Sequence, residues 1–109
     1  MDIDAIRAMI RDGDWVPTEH FNERLDERTI DLEQVLESIA CGEIVHEEPK
    51  QSPCPECMIR GLTRRRIAGI EFEVPLYVQC GIGEVVFFIT ADWNPPRQFG
   101  QRARRSRHR

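Results

Sequence analysis

A histidine and two arginines recur at intervals of four residues early in the chain, at His20, Arg24 and Arg28. If this segment is helical, the spacing places all three along one side of the helix. A histidine can carry protons near neutral pH, and two arginines can hold a phosphate that becomes more negative as it is attacked. These groups suit metal-free RNA cleavage, in which the 2′-hydroxyl of the RNA is the nucleophile. The alternative is an ordinary exposed helix face, with the arginines paired to Glu23 and Glu27.

A second polar group lies within the most regular pattern of the sequence. From Ile70 to Cys80 apolar and polar residues alternate, which predicts a strand with one apolar and one polar face. Tyr77 and Gln79 fall on the polar face, and Thr90 joins them from the following strand. A tyrosine can relay a proton or stack on a base, and a threonine can hydrogen-bond a phosphate oxygen. The same residues would also suit the solvated side of a half-exposed sheet.

The four cysteines form a third candidate group. Cys54 and Cys57 make a CxxC knuckle that Cys80 and Cys41 could join, with His46 able to replace one of them. Structural zinc needs four thiolate or imidazole ligands, and Cys54, Cys57 and Cys80 are the first candidates among these residues. The chain has one knuckle rather than two, and Cys80 and Cys41 are also explained as small core residues. We therefore expect no required cofactor, with zinc as the metal that the sequence allows.

Capping signals predict three helices ahead of the strands. An acidic residue near the N-terminus can cap a first helix that ends near Gly13, and Thr18 can cap a second helix. Asp31 and Gln34 have the spacing of a capping box for a third helix. The segment Trp15 to Pro17 is expected to be a short extended link between the first two helices.

Four strands are predicted after the third helix, over residues 43–48, 57–62, 70–80 and 85–93. Gly81 and Gly83 allow a hairpin centred between Ile82 and Gly83, in which Cys80 would face Val85 and Glu73 would face Asp92. Helices followed by antiparallel strands indicate an α+β fold. We expect two to three N-terminal helices packed on a four-stranded antiparallel sheet, in one domain over residues 1–96.

Charge is distributed unevenly along the 109 residues. Residues 1–48 hold 14 acidic residues against 4 arginines, a net charge of −10, whereas residues 49–109 carry +6. Six arginines and no acidic residue lie in residues 97–109. We expect these residues to be a disordered tail that can hold nucleic acid, the protein's own acidic half or a partner, or else is simply solvated. No apolar run approaches ~20 residues, and the acidic N-terminus is unlike a signal peptide. These features predict a cytoplasmic location without membrane association.

Several motifs together resemble a prokaryotic family. They are Thr18-x-His20-x-x-x-Arg24-x-x-x-Arg28-x-Ile30, Cys41-Gly42-Glu43-Ile44-Val45, Pro53-Cys54-Pro55-x-Cys57-x-Ile59-x-Gly61, Pro75-Leu76-Tyr77-Val78 and Ile89-Thr90. The pattern is similar to the domain-of-unknown-function family numbered 4258. The segment Asp12 to Thr18, with a helix on each side, also resembles the MqsR-type mRNA interferase toxins of the wider RelE/ParE-like group. The family pattern usually has histidine after Pro-Leu, where this chain has Tyr77.

The resemblance implies a RelE/MqsR-like fold and metal-independent cleavage of mRNA under the control of an antitoxin-like protein. The expected partners are RNA or ribosome-bound mRNA and that antitoxin-like protein. The candidate catalytic residues are His20 as acid or base, Arg24 and Arg28 as phosphate ligands, and Tyr77 and Thr90 as positioning groups. The alternative is a non-catalytic module that binds protein or nucleic acid and contains a structural zinc knuckle. The acidic first half favours this alternative, because phosphate contacts supply much of the affinity for RNA.

Overall fold

Three helices form where the capping residues predict them. In the computed structural model, which describes residues 1–96, α1 spans Ile3–Arg11, α2 spans Glu19–Arg28 and α3 spans Leu32–Cys41. The Thr18 hydroxyl accepts a hydrogen bond from the Phe21 N–H at 3.1 Å, and the Gln34 side chain accepts one from the Asp31 N–H at 2.9 Å. Both caps satisfy donors that the first helical turn leaves free. The predicted basic tail, residues 97–109, lies outside the described residues.

The strands form one five-stranded mixed sheet. They are β1 (Trp15–Pro17), β2 (Glu43–Glu48), β3 (Glu56–Ile67), β4 (Ile70–Ile82) and β5 (Val86–Asp92), in the spatial order β1-β5-β4-β3-β2. The α+β class and the three helices are confirmed. The prediction of four strands, all antiparallel, is wrong, because β1 pairs with β5 in parallel.

Strand β1 is the extended segment that we expected to be a link. The Val86 N–H donates to the Asp14 carbonyl at 2.9 Å, and the Thr18 N–H donates to the Phe88 carbonyl at 3.1 Å. Three residues are too few to show a strand periodicity, so only the contact with β5 identifies this segment as a strand.

All three helices lie on one side of the sheet, which we call the covered face; the opposite side is the bare face. Side chains from the helices and from β3, β4 and β5 form a single core. Phe88 is its centre, with its ring centroid 5.2 Å from that of Trp15 and 5.3 Å from that of Phe21. No helix of residues 1–96 covers the bare face, on which alternate residues of β3 and β4 such as Arg60 and Tyr77 lie.

Helix α3 lies very close to β3. A Cβ atom on Gly61 would lie 1.8 Å from the Ser38 carbonyl oxygen, so only glycine allows this approach. Glu37 accepts hydrogen bonds from the Thr63 hydroxyl at 2.6 Å and from the Arg64 N–H at 3.0 Å. These bonds lower the pKa of Glu37, with the Thr63 hydroxyl as the largest cause. The contacts hold the helix against the middle of the hairpin formed by β3 and β4.

The predicted register of the β4–β5 hairpin is wrong. Ile82 pairs with Val86 and Cys80 with Phe88, so the connection has three residues rather than two. A bulge follows, and Gln79 pairs with Thr90. Because side chains alternate along a strand, the three-residue shift places Val86 and Phe88 in the core instead of their neighbours. The bulge then keeps Ala91 in the core as well.

None of the helices in residues 1–96 combines the length and apolar character needed to span a membrane.

Candidate functional site

The three cationic positions of α2 have three different environments. His20 is exposed on the first turn and makes no hydrogen bond or ion pair with any side chain of residues 1–96. Arg24 pairs with Glu27 at 2.6 Å, as the alternative interpretation expects. Arg28 reaches β5 instead. An interval of four residues advances about 40° around a helix, so the side chains of His20 and Arg28 differ by about 80° and by about 12 Å along the axis.

Arg28 connects the end of α2 to the end of β5. Its guanidinium donates to the Ala91 carbonyl at 2.7 Å and to the Thr90 hydroxyl at 3.2 Å. A second guanidinium nitrogen lies 3.6 Å from an Asp92 carboxylate oxygen. The Trp93 indole N–H donates back to the Arg28 carbonyl at 2.9 Å. The structure therefore brings together two predicted site residues, Arg28 and Thr90, that lie 62 positions apart.

Tyr77 lies beside this pair on the bare face. It is directly opposite Asp92 in the β4–β5 ladder, and Gln79 is opposite Thr90. From the other side, Arg60 donates to the Tyr77 hydroxyl at 3.3 Å, and its guanidinium carbon lies 6.0 Å from the centroid of the ring. Residues of α2, β3, β4 and β5 thus meet in one region, the α2–β5 corner, which consists of Arg28, Arg60, Tyr77, Thr90 and Asp92.

The α2–β5 corner can attract an anion. It contains two guanidinium groups, one carboxylate and two hydroxyls, and the Arg28 side chain remains 31% exposed. Guanidinium groups form paired hydrogen bonds with phosphate oxygens, and hydroxyls can orient a phosphate. His20 and Arg24 are not part of this corner, because α2 places them further along its exposed side. The structure thus assembles three of the five predicted catalytic residues.

Four residues in the corner or beside it were not predicted as site residues. Arg60 and Asp92 flank Tyr77, while Arg65 lies over the Trp93 ring with its guanidinium carbon 4.1 Å from the centroid. The alternation of β3 is the only sequence signal that could have identified Arg60, since it places Arg60 on the same face as Tyr77 once the strands are paired. The positions of Asp92 and Trp93 depend on the β4–β5 register, which the bulge changes.

The cysteines are arranged differently from a metal site. Cys57 and Cys80 lie opposite each other on β3 and β4, both buried. Burial raises the pKa of Cys57 to about 11 and that of Cys80 well above its usual value. Zinc binds thiolates, whereas this core favours neutral thiols.

The other candidate ligands lie apart from that pair. Cys54 is half-buried in the loop before β3, and Cys41 is exposed with its thiol on the Leu62 carbonyl at 3.2 Å. His46 contacts Glu48 at 2.9 Å. Within residues 1–96 no three His, Cys, Asp or Glu side chains are grouped as metal ligands. The arrangement therefore gives the zinc hypothesis no support.

Comparison with known proteins identifies the family of this chain. The model of the family described as "Domain of unknown function (DUF4258)" matches residues 18–85, which run from the cap of α2 to the turn before β5. No curated protein and no solved structure matches the chain. The matched segment is more than half of the 109 residues and includes His20, Arg28 and Tyr77. The chain therefore belongs to the DUF4258 family.

Proposed function

We propose that this protein is a metal-independent endoribonuclease of the toxin type that acts on mRNA. The observation that supports the proposal best is the contact between Arg28 and Thr90 at 3.2 Å, with Tyr77 on the neighbouring strand. These three residues were predicted from the sequence to bind or position a phosphate, and they border one partly exposed corner. The resemblance to MqsR-type and RelE-like toxins is in keeping with this assignment.

Each group in the corner has a distinct role in the proposed reaction. Arg28 and Arg60 anchor one phosphate of the RNA backbone, and Tyr77 and Thr90 orient its oxygens. The RNA runs from the corner along α2 toward the first helical turn, about 12 Å away. There His20 is the proton carrier at a neighbouring phosphate, which is the one attacked. Arg24 exchanges Glu27 for that phosphate and stabilises the additional negative charge of the transition state.

The charge of the protein determines which RNA it can hold. Residues 1–96 contain 19 acidic and 9 basic residues, a net charge of −10 that repels a free phosphate backbone. The six arginines of residues 97–109 offset part of this charge. Ribosome-bound mRNA would supply further contacts, and an antitoxin-like protein would block the corner. These partners, and a cytoplasmic location, form part of the proposal.

His20 gives the cleanest test, because its exposed side chain makes no hydrogen bond or ion pair within residues 1–96. The purified chain is expected to cleave mRNA in the presence of EDTA and to leave 2′,3′-cyclic phosphate ends. His20→Gln should reduce the rate by about 10²- to 10⁴-fold, the usual contribution of a general acid or base, without changing the melting temperature. Asn22→Ala, at another exposed position of α2, is the matched control and should leave the rate unchanged. Equal cleavage by His20→Gln and the wild-type chain would contradict the assignment.

A non-catalytic binding module is the second candidate. It is favoured by the internal bonds of the two arginines, since Arg24 is paired with Glu27 and Arg28 is bonded to the Ala91 carbonyl. If the protein is a binding module, the RNA should remain intact at every protein concentration. Induced expression should also leave growth unchanged, whereas a toxin should arrest growth and lose this effect in the double variant His20→Ala, Arg24→Ala.

A further inference from the structure

The hairpin formed by β3 and β4 extends beyond its neighbours in the sheet. Strand β2 pairs with β3 only at residues 56–60, and β5 pairs with β4 only at residues 77–82. Residues 61–67 and 70–76 therefore have only each other as strand partners within the part of the chain that the structure describes. This projecting ribbon has two outer edges.

The β3 edge of the ribbon is covered by α3. The Cys41 thiol donates to the Leu62 carbonyl at 3.2 Å, and the Gln34 side chain donates to the Arg64 carbonyl at 2.7 Å. Glu37 accepts from the Arg64 N–H at 3.0 Å. Along the β4 edge, residues 70–76, no helix or side chain of residues 1–96 makes a hydrogen bond to the backbone. Its backbone groups are therefore available to another strand.

The turn of the hairpin determines which backbone groups point outward. Ala68 and Gly69 both have positive φ, 52° and 79°, as in the two-residue turns that close a hydrogen-bonded pair, here Ile67 with Ile70. Hydrogen-bonded and outward-facing residues alternate along an antiparallel strand. The N–H groups of Glu71 and Glu73 and the carbonyls of residues 71, 73 and 75 therefore face outward. By the same alternation, the even-numbered residues of β4 direct their N–H groups toward β3. In agreement, the Ile82 N–H donates to the Pro55 carbonyl, just before β3, at 2.8 Å.

The position of Pro75 follows the same pattern. Proline lacks an N–H and is tolerated in a strand where that group would face solvent. Residue 75 is an outward-facing position of the β4 edge, so the ladder with β3 loses no hydrogen bond.

The side chains beside this edge alternate in character. Ile70 is 60% exposed and Phe72 is 46% exposed, both on the covered-face side of the ribbon. Glu71 and Glu73 are exposed on the other side, where their partners on β3 are Arg66 and Arg64. Arg64 lies 3.7 Å from the Glu71 carboxylate, whereas Glu73 has no ion pair within residues 1–96. A strand lying on the β4 edge would find apolar side chains on one side and, on the other, two carboxylates that lie one strand nearer to it than the arginines.

We propose that the free edge of β4, residues 70–76, binds an extended peptide strand in which apolar and basic residues alternate. The main-chain groups of Glu71 and Glu73 extend the sheet onto the peptide, its apolar side chains cover Ile70 and Phe72, and its basic side chains pair with Glu73. The bound strand lies end to end with β5, which leaves the sheet after Asp92.

A second copy of the chain is a poor occupant of the same edge. Two β4 edges that pair about a two-fold axis would place the glutamates of one copy against those of the other. Like charges directly opposite each other destabilise a pair of strands. The carboxylates thus select a basic partner and oppose self-association.

The first test is amide hydrogen exchange of the full-length chain. The N–H groups of Glu71 and Glu73 should exchange rapidly while those of Phe72 and Val74, directed toward β3, are protected. A synthetic peptide of about seven residues that alternates valine and arginine should protect Glu71 and Glu73. Protection of Glu71 and Glu73 without the peptide would overturn the proposal. If that protection does not depend on protein concentration, another segment of the same chain occupies the edge. If it does, a second copy of the chain occupies it.

Variants separate the backbone contribution from charge and apolar contact. Glu73→Pro removes one outward N–H and should weaken peptide binding about tenfold or more, whereas Glu73→Gln keeps the N–H and should weaken it only a few-fold. Phe72→Ser should also weaken binding, while Leu62→Ser, at a similarly exposed residue on the bare face, should not. Melting temperatures check that every variant folds.

The peptide itself provides the last control. Methylation of its alternate backbone nitrogens removes the donors that the carbonyls of residues 71, 73 and 75 require. Equal binding of the methylated and unmethylated peptides, or no binding at about 1 mM, would overturn the proposal.

Discussion

Neighbouring phenylalanines of β5 illustrate the difference between the two faces of the sheet. Phe88 is fully buried on the covered face between Trp15 and Phe21, whereas Phe87 lies half-buried on the bare face. The covered face holds the helices and most of the buried apolar surface. The bare face carries a smaller number of apolar side chains, including Phe87 and Ile89 beside Gly81, together with part of the α2–β5 corner. The comparison indicates that the covered face determines the fold, which leaves the bare face available for function.

Replacing each phenylalanine with alanine should produce the largest contrast. Phe88→Ala removes a ring from the centre of the core and should lower the free energy of unfolding by about 4 kcal/mol. Phe87→Ala, one residue away, should lower it by only about 1 kcal/mol, because its ring is partly solvated already. Urea denaturation of both variants measures the difference. Similar losses would mean that the bare face is packed against another part of the chain.

The two thiols of the covered face should make the fold sensitive to alkaline pH. Burial raises the pKa of Cys57 from 9.0 to about 11, and burial also raises the pKa of Cys80 well above its usual value. The unfolded chain therefore loses these protons at a lower pH than the folded chain. Stability should be fully present below about pH 9 and should decline as the pH rises through about 11.

A pair of cysteine variants tests this pH dependence. Cys57→Ala should have a smaller alkaline decline than the wild-type chain, whereas Cys41→Ala, which removes an exposed thiol, should decline as the wild-type chain does. The measurement is the free energy of unfolding between pH 8 and pH 11, within the range of the cited pKa values. Identical declines in both variants would show that the Cys57 thiol is not responsible.

The sequence predicted the local structure of the protein well. Thr18 and the pair Asp31 and Gln34 identified two helix starts, because capping depends on residues only a few positions apart. The alternation from Ile70 to Cys80 likewise identified β4. These signals are local, so one sequence is enough to interpret them.

The register and the composition of the site depend on contacts between distant residues. The three-residue connection after Ile82 and the bulge at Gln79 shift β5 relative to the expected pairing, and no residue pattern marks the bulge. Arg28 contacts Thr90 but His20 does not, because side chains spaced four residues apart drift around the helix. The sequence therefore supplied the candidate residues, while the tertiary contacts decided which of them meet.

Removing one hydroxyl group from each face should have the smallest effects on stability, and it compares the two faces most directly. On the covered face, Thr63 is buried and donates to Glu37 at 2.6 Å, so Thr63→Val should lower the free energy of unfolding by about 1 to 2 kcal/mol. On the bare face, Tyr77→Phe removes a 3.3 Å bond to the partly exposed Arg60 and should lower it by about 0.5 kcal/mol or less.

Acid pH distinguishes the two hydroxyls further. The Thr63 bond lowers the pKa of Glu37, so its contribution is present above the unfolded value of 4.5 and is lost as the pH falls. The effect of Thr63→Val on thermal stability should therefore shrink below pH 4.5, whereas the effect of Tyr77→Phe should not depend on the ionisation of Glu37. If Tyr77→Phe also reduces RNA cleavage while its stability is unchanged, the hydroxyl acts on the substrate, which a purely structural role for the bare face cannot explain.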